Sequence, residues 1–258
     1  ASAAPAPAAN SGDQMDMFAM DDQATAAATQ TDERKTLENT EHKYHFVDTA
    51  EKRAALIKTL SSHKEICFDT ETSGIDAMIA EIVGLSFAVE TGEAWYVPTP
   101  PDRAEALAII GEFKPMFENA EIGKIGQNLK YDITILRNYD CLVNGPLFDT
   151  MLAHYLLQPD MRHNMDLLAE TYLNYSPVSI TTLIGPKGKN QKTMLDIPQE
   201  EISDYACEDA DITLQLKKHF EPMLAERGVR DLFDSIETPL IPVLAAMESE
   251  GISLDTGS

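Results

Sequence analysis

Three short runs rich in β-branched, aromatic and other apolar residues lie close together in the first half of the chain. They occupy residues 66–71, 82–89 and 94–98, and a Thr-Gly pair at 91–92 separates the last two. Runs of this composition, bounded by turn residues, are typical of β-strands. Because short turns join them, we predict that the three strands pair antiparallel.

The rest of the chain is patterned mainly as helices. Asp48 or Thr49 is placed to cap a helix that ends at Leu60. Further expected elements are a helix at 102–118, a short strand at 122–125, a helix at 128–139, and an almost wholly helical region after Phe148, up to residue 250, with a loop at 185–190. Strands first and helices later indicate an α/β or α+β domain rather than a repeat protein, and α/β is our prediction.

Residues 1–43 differ in composition from the remainder of the chain. They include eleven Ala and one Leu, and no Val or Ile. So few large apolar side chains cannot offset the entropy lost on ordering, and we predict a disordered tail or linker. The chain begins without Met and ends at Gly257-Ser258, so we expect both ends to be cut from a longer protein.

Charge and composition exclude several classes of protein. The 258 residues include 43 acidic and 20 basic side chains, a net charge of −23, of which the tail holds eight acids and three bases. Nucleic-acid binding normally needs a basic surface, so charge alone argues against it. No apolar run is long enough to cross a membrane. Three widely spaced Cys predict neither disulfides nor a zinc site and fit a reducing cytoplasm.

The first candidate site is Phe68-Asp69-Thr70-Glu71-Thr72, at the end of the first predicted strand. Residues i and i+2 of a strand face the same side, so Asp69 and Glu71 are neighbours. Adjacent carboxylates repel each other unless a cation lies between them, and Mg²⁺ prefers carboxylate oxygens. The alternative is a pair of solvated acids at a strand end.

Two further patterns place an acid four residues after a polar residue on a predicted helix. They are Asn128 with Asp132, and Tyr205 with Asp209. Each pair therefore shares one helix face. Alternatively, Asn128 is a plain N-cap and Asp132 a surface acid, while Tyr205 and Asp209 meet at the edge of the core. The other two acids of the third pattern are expected to point elsewhere and to be solvated: Glu208 and Asp211.

In this order, a DxE on a strand followed by helical NxxxD and YxxxD resembles the DEDD exonuclease superfamily in its tyrosine subgroup. Segments 148–155, 165–170 and 188–191 resemble the 3′-5′ proofreading exonuclease domain of bacterial DNA polymerase I. Segments 237–244 and 250–252 resemble the junction where the polymerase domain begins. The resemblance implies an RNase H-like α/β fold with a mixed sheet flanked by helices, an exonuclease domain at 44–235 and the start of a truncated polymerase domain at 236–258.

The resemblance also implies a metal site. In this family four acids hold two divalent ions, and the matching positions are Asp69, Glu71, Asp132 and Asp209. Asp69 would bridge both ions, Glu71 and Asp209 would complete the site on the nucleophile side, and Asp132 would hold the second ion through water. Tyr205 would orient the attacking water. We expect Mg²⁺ or Mn²⁺, with Zn²⁺ as a further option.

Contacts with a single-stranded or frayed DNA 3′ end are implied at several positions. Ile75 replaces a family leucine that wedges near the terminal base, and an ordinary core residue is the alternative. Arg162 lies in a segment that reaches the DNA in the family. Lys187 and Lys189 belong to the densest basic cluster and could meet phosphates or form a solvated loop. The second motif supplies three more candidates: Gln127, Asn128 and Tyr131.

The predicted tail contains a short peptide that resembles the sliding-clamp motif of bacterial polymerases and repair proteins. It consists of Gln14, Met15, Asp16, Met17 and Phe18, with Met where the family usually has Leu. Such a peptide anchors its apolar side chains in a pocket while its flanks stay disordered. The alternative is a chance match in a random tail.

The resemblance thus implies a metal-dependent 3′-5′ exonuclease that releases 5′-mononucleotides from DNA 3′ ends, as part of a bacterial DNA polymerase I. We expect a cytoplasmic, nucleoid-associated protein whose partners are DNA, its own polymerase domain and a sliding clamp. One alternative resembles RNase D, which trims RNA 3′ ends, and segment 236–258 argues against it. The other is a non-catalytic module that positions a polymerase, and the complete set of five site residues argues against that.

Overall fold

The computed structural model describes residues 34–253. Within this range six strands form a single mixed sheet: β1 (Lys43–Phe46), β2 (Glu65–Thr72), β3 (Ile82–Glu90), β4 (Glu93–Pro98), β5 (Gly123–Gly126) and β6 (Leu147–Asp149). Their order is β1-β4-β3-β2-β5-β6. The predicted antiparallel pairing of β2, β3 and β4 is confirmed, whereas β1, β5 and β6 each join a parallel neighbour. The predicted mixed sheet is therefore confirmed.

Helices flank this sheet. They are α1 (Ala50–Leu60), α2 (Arg103–Phe117), α3 (Leu129–Asn138), α4 (Thr150–Leu157), α5 (Met165–Leu168), α6 (Ile180–Ile184), α7 (Gln199–Glu226), α8 (Arg230–Leu232) and α9 (Thr238–Glu250). Thr49 caps α1 by accepting from Lys52 N, as predicted. Asp102 caps α2, which therefore begins at Arg103. In the described part of the chain no helix could span a membrane.

Alternating side chains of β2 divide the core into two clusters. Ile66 and Phe68 pack into one cluster with residues of α1, α2, α3 and α9. Cys67 packs into the other cluster with residues of α7. Asp69 and Glu71 have the same parity as Cys67, so their side chains lie on the α7 side of the sheet.

The folded structure includes residues 34–43, which we predicted to belong to the tail. Lys35 N donates to Asn174 O at 3.0 Å, and Ser176 N donates to Lys35 O at 2.8 Å. Lys43 is already the first residue of β1. These residues are held by backbone hydrogen bonds, which composition does not report. The clamp-like residues 14–18 lie outside the described residues.

Strand β6 is a second departure from prediction. The region after Phe148 was expected to be helical, but Asp149 still belongs to β6, and α4 begins at Thr150. The strand pairs with β5 through three residues. A three-residue strand is too short for an alternating pattern of apolar and polar residues to be recognised in the sequence.

Candidate active site

The end of β2 and the middle of α7 bring three carboxylates together. Asp69, Glu71 and Asp209 each offer one oxygen, and these three oxygens lie within 4.8 Å of one another. Asp69 and Glu71 are neighbours because they are two residues apart on one strand. Asp209 joins them because α7 packs across the same face of the sheet.

Burial and mutual repulsion make this cluster unfavourable when all three groups are ionised. Burial raises the pKa of Asp69 to about 7. Burial and the charge of Asp69 raise the pKa of Glu71 well above its ordinary value, and burial and the charge of Glu71 do the same for the pKa of Asp209. Within residues 34–253, the buried Glu71 Oε1 has no hydrogen-bond partner. A bound cation would relieve both the repulsion and this unpaired oxygen.

Asp132 reaches the same strand end from the opposite helical layer. It lies in the first turn of α3, and its Oδ1 accepts from Thr70 N at 3.1 Å and Thr70 Oγ1 at 2.6 Å. Burial and the charge of Asp69 raise its pKa, while the Thr70 bonds oppose the rise. Asp132 is therefore buried near Asp69 rather than exposed, as the surface-acid alternative required. Thr70 lies inside the DxE motif, and no spacing rule marked it.

Tyr205 lies on α7 one turn before Asp209, as predicted. Burial, and then the charges of Asp209 and Glu71, raise the pKa of its hydroxyl well above its ordinary value. The hydroxyl is therefore protonated at neutral pH. It can donate or accept a hydrogen bond at the edge of the carboxylate cluster.

The turn between β5 and α3 holds Gln127 and Asn128. Gln127 Nε2 donates to His163 O at 2.7 Å, and Thr150 Oγ1 donates to Gln127 Oε1. Asn128 is exposed and has a left-handed conformation, with φ of 62°. The prediction that it shares a helix face with Asp132 is wrong, because α3 begins only at Leu129. Asn128 occupies the N-cap position, although its side chain makes no capping hydrogen bond.

Two acids that we expected to be solvated are buried. Glu208 accepts from Tyr175 Oη at 2.6 Å and Val178 N at 2.8 Å. Asp211 accepts from Gly92 N at 2.9 Å and from a second tyrosine hydroxyl. The correction has a physical reason: α7 is covered on several faces, so its polar residues bind neighbouring segments instead of water.

The predicted DNA contacts have different environments. Ile75 is 91% exposed, so the alternative that it is a core residue is wrong. Tyr131 is partly buried, and its hydroxyl donates to Gly74 O in the loop that carries Ile75. The three basic candidates lie in exposed positions outside the carboxylate cluster: Arg162, Lys187 and Lys189.

Asp149 is a buried acid that lies outside the three carboxylate motifs of the sequence. Its carboxylate accepts four backbone N–H groups at the starts of α3 and α4. Burial raises its pKa, and these four donors oppose the rise. The signal in the sequence was its place before the helical run at Thr150, where Asp is a favoured N-cap.

The fold and the carboxylate cluster define a nuclease-like protein, and comparison with known proteins identifies the family. The sequence pattern of a family described as 3′-5′ exonuclease matches residues 44–225. DNA polymerase I of Pseudomonas aeruginosa is 39% identical over 211 residues, which cover 78% of this chain and 23% of the relative. DNA polymerase I of Borreliella burgdorferi is 34% identical over 228 residues, covering 87% and 24%. The chain belongs to the 3′-5′ exonuclease family, as a domain of the kind found in DNA polymerase I.

Solved structures agree on the fold. NrnC of Brucella melitensis superposes with a TM-score of 0.65 at 16% identity, over 84% of this chain and 98% of that one. Pol1 of M. smegmatis, in a complex with DNA primer-template and dNTP, gives a TM-score of 0.65 at 20% identity, over 83% of this chain and 33% of that one. The chain spans about a quarter of the length of the curated polymerases that it matches.

Proposed function

We propose that this chain hydrolyses the terminal phosphodiester at DNA 3′ ends and releases 5′-mononucleotides with the help of two divalent ions. One observation carries the proposal: in a member of the 3′-5′ exonuclease family, three carboxylates converge within 4.8 Å. A largely buried cluster of this kind, in which one oxygen of Glu71 has no hydrogen-bond partner among residues 34–253, fits a cation.

Asp69, Glu71, Asp132 and Asp209 are the residues that would hold the ions. Oxygen ligands of this kind suit Mg²⁺ or Mn²⁺, and a structure of Brucella melitensis NrnC with bound Mg²⁺ supports Mg²⁺. When bound, two such ions would activate water and stabilise negative charge on the leaving 3′ oxygen. Their four positive charges would offset the four carboxylates, so the scissile phosphate would meet a neutralised site.

The other residues would position the substrate and the water. The protonated hydroxyl of Tyr205 would orient the attacking water by a hydrogen bond, at the edge of the carboxylate cluster. Ile75, exposed on the loop that Tyr131 buttresses, would separate the terminal base from its neighbour. Contacts with the DNA strand would come from Gln127, Asn128, Arg162, Lys187 and Lys189.

The substrate class can be tested with the chain alone. Single-stranded DNA and RNA labelled at the 3′ end are incubated with Mg²⁺ or Mn²⁺, and in parallel with a chelator. We expect labelled 5′-mononucleotides from DNA, and none with chelator. Release from RNA only would favour the alternative that resembles RNase D. Absence of release with every metal would favour a non-catalytic module.

We further propose that residues 236–258 begin a polymerase domain. The exposed face of α9, which lies within this segment, would pack against the rest of that domain. The buried face of α9 carries Ile241 and Ala245, which pack with the core cluster of α1, α2 and α3. The opposite face of α9 is an exposed apolar stripe at helical spacing, Leu240, Val243, Leu244 and Met247, and the exposed Ile236 lies just before the helix. A stripe of this kind supports an interface with a partner.

Binding to the polymerase region of the same enzyme, supplied as a separate chain, tests this surface. Changing Val243 and Met247 to Glu should abolish binding, whereas Lys218→Glu on α7 should not. Binding that survives the double change would contradict the proposed interface.

Two predictions from the sequence remain proposals. We propose that residues 14–18 bind the sliding clamp, and deletion of these five residues should then abolish clamp binding. Unchanged affinity would rule out the motif. We also propose a cytoplasmic location on the bacterial nucleoid. A fluorescent fusion of the protein should then co-localise with the DNA, and a fusion that does not would contradict the proposal.

A further inference from the structure

Asp149 stands at the end of β6, opposite Gly126 of β5 in the sheet register. It is 2% exposed, and its carboxylate is shared between two helices. Oδ1 accepts from the backbone N–H groups of Met151 at 2.8 Å and Leu152 at 3.2 Å, which begin α4. The remaining donors belong to the start of α3: Asn128 N to Oδ1 at 3.2 Å, and Leu129 N to Oδ2 at 2.8 Å.

The start of α3 is shaped as an anion-binding concavity. Asn128 has a left-handed conformation, and Leu129 is the first helical residue. Two successive N–H groups in such a turn point to one centre and bind an anion there. The Asp149 carboxylate fills that position, where its charge is also favoured by the N-terminal end of the helix. Asp149 therefore fixes where α3 begins.

Asp132 lies three residues after Leu129, in the first turn of the same helix. Its position thus depends on the start of α3 on one side and on the Thr70 hydrogen bonds on the other. We propose that Asp149 is a positioning residue for Asp132: it holds the carboxylate of Asp132 where a metal ion can be bound. The inference rests on the proposed function of Asp132 as a metal ligand. Asp149 itself acts through backbone N–H groups.

An ordinary N-cap carboxylate accepts hydrogen bonds only from the first backbone N–H groups of the helix that it caps. Asp102 is such a cap, because its Oδ1 accepts only from Ala104 N and Glu105 N of α2 among the hydrogen bonds of the described chain. Asp149 makes the equivalent pair of bonds to α4 and two more to α3. The second pair, between different elements, is what connects it to Asp132.

Calorimetric titration with Mn²⁺ in the absence of DNA tests the inference. Asp149→Asn keeps the shape of the side chain but replaces one acceptor oxygen by a donor. We expect Mn²⁺ affinity about ten- to a hundredfold weaker, the range typical of residues that orient metal ligands. The matched control Asp102→Asn should bind Mn²⁺ like the wild type.

The route through Asp132 is tested by a double-mutant cycle. In an Asp132→Asn background, adding Asp149→Asn should leave Mn²⁺ affinity within about twofold, because the ligand that it positions is already lost. Two results would overturn the inference. One is a folded Asp149→Asn variant that binds Mn²⁺ with wild-type affinity. The other is a double variant whose loss of Mn²⁺ affinity equals the product of the losses in the two single variants. If Asp149→Asn does not fold, Asp149→Ser serves instead. Its shorter side chain can cap α4 without reaching α3, and the same outcomes apply.

Failure of the proposed function gives a different result. If the wild type binds no Mn²⁺, both the proposed metal site and the role of Asp149 are wrong. If the wild type binds Mn²⁺ and Asp149→Asn binds it equally well, only the positioning role is wrong.

Discussion

At the scale of single residues, the carboxylate cluster destabilises the folded state in the absence of a cation. The cluster consists of Asp69, Glu71 and Asp209. Glu71 and Asp209 are buried and Asp69 is partly buried, and each ionised group disfavours ionisation of the next. The folded, metal-free protein therefore binds protons that the unfolded chain releases. The proposed ions would take the place of those protons.

This uptake of protons predicts how stability depends on pH in chelator. The pKa of Asp69 is raised to about 7 in the folded state, against about 4 when unfolded. Between these values the folded state binds more protons, so the free energy of unfolding falls as pH rises, and Asp69 contributes about 1.4 kcal/mol per raised pKa unit. Urea unfolding measures this fall. Between pH 5 and pH 7.5 the free energy of unfolding should decrease less for Asp69→Asn than for the wild type. The exposed control Asp204→Asn should decline like the wild type, and equal declines in all three would contradict the prediction.

Tyr205→Phe separates catalysis from metal binding. Loss of the hydroxyl leaves the four acids in place, so Mn²⁺ affinity should be unchanged. The turnover number should fall about a hundredfold, the lower end of what a positioned proton-handling group contributes. Steady-state kinetics with Tyr155→Phe, an exposed tyrosine of α4, provide the control. Unchanged turnover would remove Tyr205 from the mechanism.

The sequence predicts some of these residues better than others. The two-residue spacing on a strand was enough to place Asp69 beside Glu71, and four-residue spacing on a helix placed Tyr205 near Asp209. Thr70, and the hydrogen bonds by which Asp149 reaches the start of α3, could not be recognised in this way. Their roles depend on segments brought close by the sheet, and local spacing contains no record of those contacts.

At the scale of elements, the junction of β5 with α3 positions one side of the site. Gly126 ends β5, and a Cβ there would lie 2.4 Å from Leu129 Cδ2 and 3.3 Å from Phe68 O. A side chain at this position would push the first residue of α3 away from β2. The close approach of the helix to the strand therefore requires glycine.

Gly126→Ala should destabilise the fold by about 1–3 kcal/mol, the usual cost of forcing extra atoms into a packed site. Gly111→Ala in α2 is the matched control, since a Cβ at Gly111 would meet no atom of residues 34–253 within 4 Å. Alanine is the better helix former, so that change should be neutral or stabilise by up to about 1 kcal/mol. Chemical denaturation of both variants measures the difference. If both variants had the same free energy of unfolding, the site around Gly126 would have room for a Cβ, contrary to the prediction.

The predictability of elements depends on their length. Long periodic segments such as α2, and capped starts such as Thr49 before α1, were identified because local physics determines them. Strand β6 and residues 34–43 were not identified. Each is too short or too polar to form alone, and each is held by pairing with distant backbone.

At the scale of the whole molecule, the net charge of −23 would exclude DNA as a partner if charge were spread evenly. Eight acids and three bases lie in residues 1–43, and four acids belong to the candidate metal site. Net charge governs solubility and long-range attraction rather than the local chemistry of a site. The domain alone should therefore hold DNA weakly and only through bound cations.

Affinity for single-stranded DNA should accordingly depend on metal. We expect a dissociation constant at least about tenfold weaker in chelator than in Mg²⁺, since the acidic surface then repels phosphate. Fluorescence anisotropy with an oligonucleotide whose terminal linkages are phosphorothioates, to slow cleavage, measures this difference. Equal affinities would mean that DNA is held elsewhere on the molecule.

Digestion of a single-stranded oligonucleotide labelled at its 5′ end tests the central claim most directly. With Mg²⁺ the wild type should produce a ladder of labelled products that shortens stepwise from the 3′ end. Chelator should abolish the ladder, and Asp209→Asn should reduce its rate by more than about a hundredfold, beyond the usual effect of residues that only support metal ligands. The control Asp204→Asn, on the same helix, should digest normally. Labelled mononucleotide at the earliest times, or a ladder that persists in Asp209→Asn, would contradict a 3′-5′ exonuclease centred on these carboxylates.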